Sequence, residues 1–402
     1  MIPLEEAQRF VLAACPRLDS SSRPLDEALG AVLAAPVATH EAVPPFDNTA
    51  MDGFAVRAAD TTGAPCELPV VATLAAGAAP TRAVQPGEAI RIMTGAPMPE
   101  GADAIVMVEA TEEPAPGRVR ILQTVRPGEH VRRAGTDLHP GQEVFPPGTV
   151  LRPGHVGVLA SLGHRRIETY RTPRVGVLST GDELVDDARP LAPGQIRDSN
   201  RPALLAAAAA SGFEAIDLGL VRDDPAALEA ALSTATTRVD AILTSGGVSV
   251  GDFDHTKRVL ETLAGDTMRW MQVAIRPAKP FAFGRIGRVP VFGLPGNPVS
   301  SLVSFELLAR PALRKMAGHT ALFRPRRWAV LDDGYRRAPD GKLHFVRVRL
   351  VDDGRRLRAT SAGGQSSHQL LAMAVADGLA LVPDGPGIEP GGEVEVLVLT
   401  EG

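Results

Sequence analysis

Between residues 171 and 317 short apolar runs alternate with helical stretches, and three of those runs end in glycine-rich loops. The spacing predicts strands over 174–178, 213–220, 239–243 and 290–293. It predicts helices over 200–211, 223–236, 254–264 and 297–317. Asp223-Asp224-Pro225 and Asn297-Pro298 each offer a capping side chain followed by a first-turn proline. A strand, a crossover helix and another strand read as a mostly parallel sheet with helices on both faces. In an open sheet of this kind, ligands bind outside the carboxyl ends of the strands.

The flanking regions differ in texture. Residues 3–36 predict helices, the first opened by Pro3 with Ala7, Phe10, Val11 and Ala14 on one face. A second helix is expected over 25–35, with Gly30 awkwardly inside it. From about 41 to 150, short apolar stretches are broken by Pro-Gly pairs, as at Pro86-Gly87 and Pro127-Gly128, which reads as β-rich. A helix follows over 153–162, and 325–402 returns to strands. At 402 residues, two to four domains are expected.

Charge and cysteine usage narrow the functional classes. A formal charge of −5 gives no global basic footprint for nucleic acid. The acidic start, with Glu5 and Glu6, is unlike a signal peptide, and the Ala/Leu run 203–210 is too short for a membrane span. Cys15 and Cys66 form no metal-binding spacing or disulfide framework, so a reduced, cytoplasmic protein is expected. Of the 42 basic residues only Lys257, Lys279, Lys315 and Lys342 are lysines. Coding bias accounts for most of that imbalance, and it makes each lysine worth locating.

Three loops stand at predicted strand ends: Ser179-Thr180-Gly181-Asp182-Glu183, Ser245-Gly246-Gly247-Val248-Ser249-Val250-Gly251 and Pro295-Gly296-Asn297-Pro298-Val299-Ser300. Glycines allow close backbone approach to an anion, and helix starts favour negative charge. One such loop is an ordinary turn; three in one sheet favour a phosphate-bearing ligand. None is a Walker loop or a dinucleotide fingerprint. Glu183, Asp223, Asp224, Asp252 and Asp254 stand at or just beyond predicted strand ends. Carboxylates facing phosphate call for a divalent cation, and Mg²⁺ suits one or two of them plus phosphate oxygens. Asp223 or Asp224 could equally be a helix cap, and Asp252 another. Taken with the loops, Asp223 and Asp254 are favoured as metal ligands. Arg276-Pro277-Ala278-Lys279-Pro280 sets two cations on a stiff segment, against the plainer reading of solvated loop charges. On physical grounds 44–55 reads as structural turns, 91–97 as a strand followed by a hydroxyl-bearing turn, and His368 as a surface or loop histidine rather than a metal ligand.

The chain also carries Asp47-Asn-Thr-Ala-Met-Asp-Gly-Phe54, Arg91-Ile-Met-Thr-Gly-Ala-Pro97, Gly181-Asp-Glu-Leu184, Gly194-Gln-Ile-Arg-Asp-Ser-Asn200, Ser245-Gly-Gly-Val-Ser-Val-Gly251, Lys279-Pro-Phe-Ala-Phe-Gly284 and Leu294-Pro-Gly-Asn-Pro-Val-Ser300. Together and in this order they strongly resemble the molybdopterin molybdenumtransferase family, the MoeA family, which includes the E domain of gephyrin. The resemblance covers essentially the whole chain. It implies a multidomain α/β protein with β-rich domains. A central, mostly parallel molybdopterin-binding sheet would span 171–317, and a β-barrel-like domain 318–402. A discontinuous N-terminal domain would take 1–40 and 135–170, with a β-rich domain inserted at 41–134. It implies Mg²⁺-dependent insertion of molybdate into adenylylated molybdopterin with release of AMP, by a homodimer whose active cleft is shared between subunits.

By motif match the resemblance implies catalytic roles for Asp52, Thr94, Glu183, Asp223, Asp254 and Lys279, with Glu183, Asp223 and Asp254 on the metal. Thr180, Ser245, Gly246, Gly247, Ser249, Arg276, Pro295, Gly296, Asn297 and Ser300 would bind substrate. Asp52 and Thr94 would reach the cleft from the partner subunit. Transient contact with an adenylyltransferase or with molybdoenzymes is an expectation of the same kind; nucleic acid and membrane are not expected as partners. Four positions depart from the family pattern: Arg276 and Gln272 stand where lysines are frequent, and Phe54 and His255 where tyrosines are. Two rivals are an adenylyltransferase, which resembles the α/β region alone, and a non-catalytic scaffold like gephyrin.

Overall fold

Six strands make the sheet expected in the second half of the chain: β1 Arg174–Thr180, β2 Glu214–Val221, β3 Ala241–Ser245, β4 Arg269–Gln272, β5 Pro280–Ile286 and β6 Val289–Leu294. Their order is β2-β1-β3-β6-β5-β4. β2, β1, β3 and β6 are mutually parallel, whereas β5 runs antiparallel to β6 and to the edge strand β4. The computed structural model describes residues 1–246 and 255–400. Gly247, Ser249, Asp252 and Asp254 lie outside the described residues. The strands at β4 and β5 were not expected; they pair antiparallel at the sheet edge, and Arg276 and Lys279 stand exposed in the segment between them.

Both faces of the sheet are covered, which explains its near-continuous apolar strands. Val175, Val177, Leu243 and Phe292 pack with Leu204 and Ala208 of the helix Asn200–Ala210. Leu178, Ile242 and Val291 pack on the other face with Leu228, Leu232, Val259 and Leu260. Asp224 is the N-cap of the helix Pro225–Ala235, accepting from the amides of Ala226 at 2.8 Å and Ala227 at 3.0 Å. Asn297 stands at the N-cap of Pro298–Ser304, but its side chain caps no amide, so that expectation is corrected.

The chain separates into two compact units, one of Met1–Ala34, Gly148–Val156 and Arg165–Gly402, the other of Ala35–Pro147 and Gly157–His164. In the first unit, the N-terminal helix Leu4–Ala14 buries Leu4, Ala7 and Val11, while Phe10 is 39% exposed and meets Phe283 edge-on. The second expected helix does not form. Residues 25–35 give a single 3₁₀ turn, Leu25–Glu27, a turn at 29–30 and isolated bridges at Val32 and Leu33. Gly30 is left-handed at φ 78°, and the amides of Gly30, Leu33 and Ala34 bond to the carbonyls of Leu151, Thr149 and Glu168. Non-local partners therefore satisfy the backbone that a helix would have satisfied internally.

The first unit also holds a closed five-stranded barrel. Leu343–Asp352 pairs with Leu357–Ser361, which leads through Arg326–Leu331, Gly392–Val398 and Gly378–Val382 back to Leu343–Asp352. Closure removes the edges that short strands would otherwise expose. The short strand Ile275–Arg276 adds to the barrel in parallel, with Arg276 opposite His344. The second unit is built on an open six-stranded sheet that includes Gly53–Val56, Cys66–Leu74 and Ala89–Ile92. The fold class is thus the expected one, a multidomain mixture of α/β and β-rich parts.

Candidate functional site

The carboxyl ends of β1, β3 and β6 lie side by side and bring together Thr180-Gly181, Ser245-Gly246 and Pro295-Gly296, the described starts of the three glycine-rich loops. Gly246 has φ 96°, and a Cβ there would stand 3.0 Å from the carbonyl oxygen of Thr180. A Cβ on Gly296 would come within 4.0 Å of the Gly246 Cα. The loops touch through glycine at both points. Gly181 has φ 145°, and the Glu183 carboxylate folds against the place its Cβ would occupy, at 2.6 Å. Buried Thr180 shares a hydroxyl contact of 3.3 Å with Thr256.

Asn200 ties two of these loops. Its Nδ2 donates to Ser245 Oγ at 2.8 Å and to the Gly296 carbonyl at 2.7 Å. A carbonyl can only accept, so the amide orientation is determined. Its Oδ1 is buried with no partner among the described residues. Beneath, buried Asp198 accepts from Ser179 Oγ and from Arg201, and Arg201 also bridges Asp186 and Asp217. This network anchors the start of the helix that carries Asn200.

On the acidic side, the cap question has an answer: Asp224 caps, and Asp223 beside it is exposed, its amide donating to Asp182 Oδ1 at 3.3 Å. Glu183 is likewise exposed. Among the described residues, no three His, Cys, Asp or Glu side chains are grouped so as to hold a metal. Asp254, the third expected ligand, is not among them.

A cavity of about 500 Å³ opens beside the sheet, lined by Arg276, Lys279, Lys342 and Ser300 together with the loop Gln365, Ser366, Ser367, His368. The Arg276–Pro277 peptide is cis, and Ala278 is left-handed at φ 76°, a costly conformation for a residue with a Cβ. The same turn returns the chain so that the Lys279 carbonyl accepts from the Val273 amide at 2.8 Å. The opposite wall comes from the barrel. Buried Arg347 donates through Nη2 to the carbonyls of Gly364 at 2.8 Å and Ser366 at 3.2 Å, and Gln365 exchanges two hydrogen bonds with the Arg347 backbone. Burial lowers the Arg347 pKa. The Ser367 carbonyl accepts from the Val299 amide at 3.1 Å, joining this wall to the loop after β6. Three cations and several hydroxyls converging on one cavity suit a small oxyanion.

In the other unit, Asp52 Oδ1 accepts from the amide and the hydroxyl of Thr94, both at 2.7 Å. These bonds hold the Asp52 carboxyl below its ordinary range. The two motif residues from residues 47–54 and 91–97 are therefore a pair. Asn200, Asp182, Lys342, Arg347 and Gln365 were not among the expected site residues. Asn200 had a signal, since it closes one of the quoted motifs. Lys342 also stood out as one of four lysines, but its nearness to Lys279 is a tertiary fact.

A crevice at the strand ends with a cation-lined cavity beside it is the arrangement by which open α/β sheets bind small molecules. The comparisons carry this to a family. Residues 2–163 match the family described as MoeA N-terminal region (domain I and II), 176–315 the probable molybdopterin binding domain, and 329–399 the MoeA C-terminal region (domain IV). "Molybdopterin molybdenumtransferase 2" of Mycobacterium tuberculosis is 40% identical over 100% of both chains. "Molybdopterin molybdenumtransferase" of Haemophilus influenzae is 36% identical over 93% of this chain and 92% of its own. The molybdopterin biosynthesis MoeA protein of Pyrococcus horikosii superposes with a TM-score of 0.83 at 32% identity, covering 100% of each chain. The chain belongs to the MoeA family, whose named relatives here are molybdopterin molybdenumtransferases.

Proposed function

We propose that this chain inserts molybdenum from molybdate into adenylylated molybdopterin and releases AMP. The observation that carries the reading is the convergence of Arg276, Lys279 and Lys342 with Ser300 and Ser366–His368 on one cavity, next to the glycine-rich strand ends. The crevice of Thr180, Ser245, Gly246, Pro295 and Gly296 would cradle the phosphate and pterin, with Asn200 holding the loops together. The cavity would hold the tetrahedral oxyanion, its cations offsetting the anion's charge. Asp223 and Glu183, with Asp254 as the family motif implies, would supply an all-carboxylate donor set of the kind that suits Mg²⁺. When bound, Mg²⁺ would supply charge compensation on the phosphoryl oxygens.

The finer parts of the reading follow the family. The active form would be a cytoplasmic homodimer, with Asp52 and Thr94 of the partner subunit completing each cleft. A division into 1–40 with 135–170, 41–134, 171–317 and 318–402 would underlie it. No helix among the described residues is long and apolar enough to cross a membrane. The test is incubation with adenylylated molybdopterin, molybdate and Mg²⁺. AMP release with molybdenum incorporation is the expected result. ATP-dependent adenylylation of molybdopterin would make the chain an adenylyltransferase, and neither activity would make it a scaffold.

A further inference from the structure

Of the three cations lining the oxyanion cavity, one is already engaged. Among the described residues no carboxylate pairs with Arg276 or Lys279. Lys342 is different: its Nζ donates to Asp340 Oδ2 at 2.7 Å. Asp340 is in turn immobilised from behind. Arg337, its side chain only 3% exposed, bonds to Asp340 Oδ1 and to Asp384 Oδ1, and also donates to the Lys342 carbonyl at 2.8 Å. His344 Nε2 lies 3.3 Å from the same Asp340 oxygen that Lys342 uses, and its Nδ1 lies 3.2 Å from the Tyr335 hydroxyl. The Asp340 amide donates to Asp384 at 2.9 Å. The carboxylate is fixed, while the lysine stem is a flexible four-carbon chain.

We propose that Asp340 is a specificity-determining residue of the cavity: it contests Lys342, so that only an anion of sufficient charge recruits the third cation. This rests on the reading of the cavity as the oxyanion site. Arg276 and Lys279 are open to any anion that enters. Lys342 must leave a carboxylate of charge −1, and Coulomb attraction scales with the product of charges. A tetrahedral dianion outbids that carboxylate; a monoanion of the same shape does not. Asp340 stays ionised throughout the working range, because its hydrogen bond to Lys342 holds its pKa down at about 2. His344 and Arg337 remain to stabilise Asp340 once Lys342 has moved, so the exchange strands no charge.

Molybdate and perrhenate provide the probe pair, a dianion and a monoanion of the same tetrahedral geometry. Titration calorimetry of the full chain at pH 8 and fixed ionic strength should show tighter binding of molybdate. In Asp340→Asn, perrhenate should tighten about tenfold and molybdate less than threefold, since the gained contact is a charge-assisted hydrogen bond. In Lys342→Met, molybdate should weaken about tenfold while perrhenate changes less than threefold. Selectivity thus falls in both variants by opposite routes. Equal factors for the two anions in both variants overturn the proposal and leave the cavity's role standing. If the unsubstituted chain binds neither anion, the cavity reading itself fails. Should Asp340→Asn not fold, Lys342→Met decides alone.

Discussion

Asn200 shows how one amide can govern a site. Its Nδ2 is the shared donor between the loops after β3 and β6. Asn200→Ala removes both bonds and leaves the Gly296 carbonyl with no donor from this side chain. The expected outcome is a rise of about tenfold in KM for adenylylated molybdopterin, with a stability loss of about 1–3 kcal/mol, read by steady-state kinetics and thermal melting. His319 makes a second residue-level case. Arg314 donates to its Nδ1 at 3.2 Å, and burial, with Arg314 and Arg310 nearby, lowers its pKa to about 4. An unfolded histidine titrates near 6.5. As pH falls below that value, the unfolded chain takes up the proton first. Stability is therefore full above about 6.5 and declines towards about 4, and His319→Gln should flatten that decline in urea titrations at pH 7 and pH 5.

Among the elements, the strand-end loops depend on glycine where the backbone demands it. Gly246→Ala puts a Cβ 3.0 Å from the Thr180 carbonyl at a φ of 96°. A loss of about 1–3 kcal/mol is expected from urea unfolding, with a larger proportional loss of activity because the neighbouring loops shift. The parallel strands were legible in sequence because apolar runs, caps and glycine loops all agreed. Residues 25–35 were misread because their apolar spacing is helical while their hydrogen bonds come from residues 149–151 and 168. The barrel's contribution to the site was not legible for a similar reason. Gln365 and Lys342 reach the cavity through strand pairing and a loop docked on Val299 and held from behind by buried Arg347, which no local pattern encodes.

Across the whole molecule, the proposed shared cleft has a sharp consequence. Asp52→Ala and Asp223→Ala should each abolish AMP release as pure proteins. Co-refolded in equal amounts, random pairing gives half heterodimers, each with one intact cleft, and roughly a quarter of full activity should return. A cleft formed within one subunit would return none. The four lysines carry a different implication. Lys315 donates to the Leu12 carbonyl at 2.6 Å, and Lys257 lies 5.5 Å from the Trp270 ring centre. The other two, Lys279 and Lys342, line the same cavity. A chain so poor in amines turns a general acylating reagent into a near-selective one. Labelling with and without oxyanion would then report occupancy of that cavity through two peptides, with Lys257 and Lys315 as internal standards.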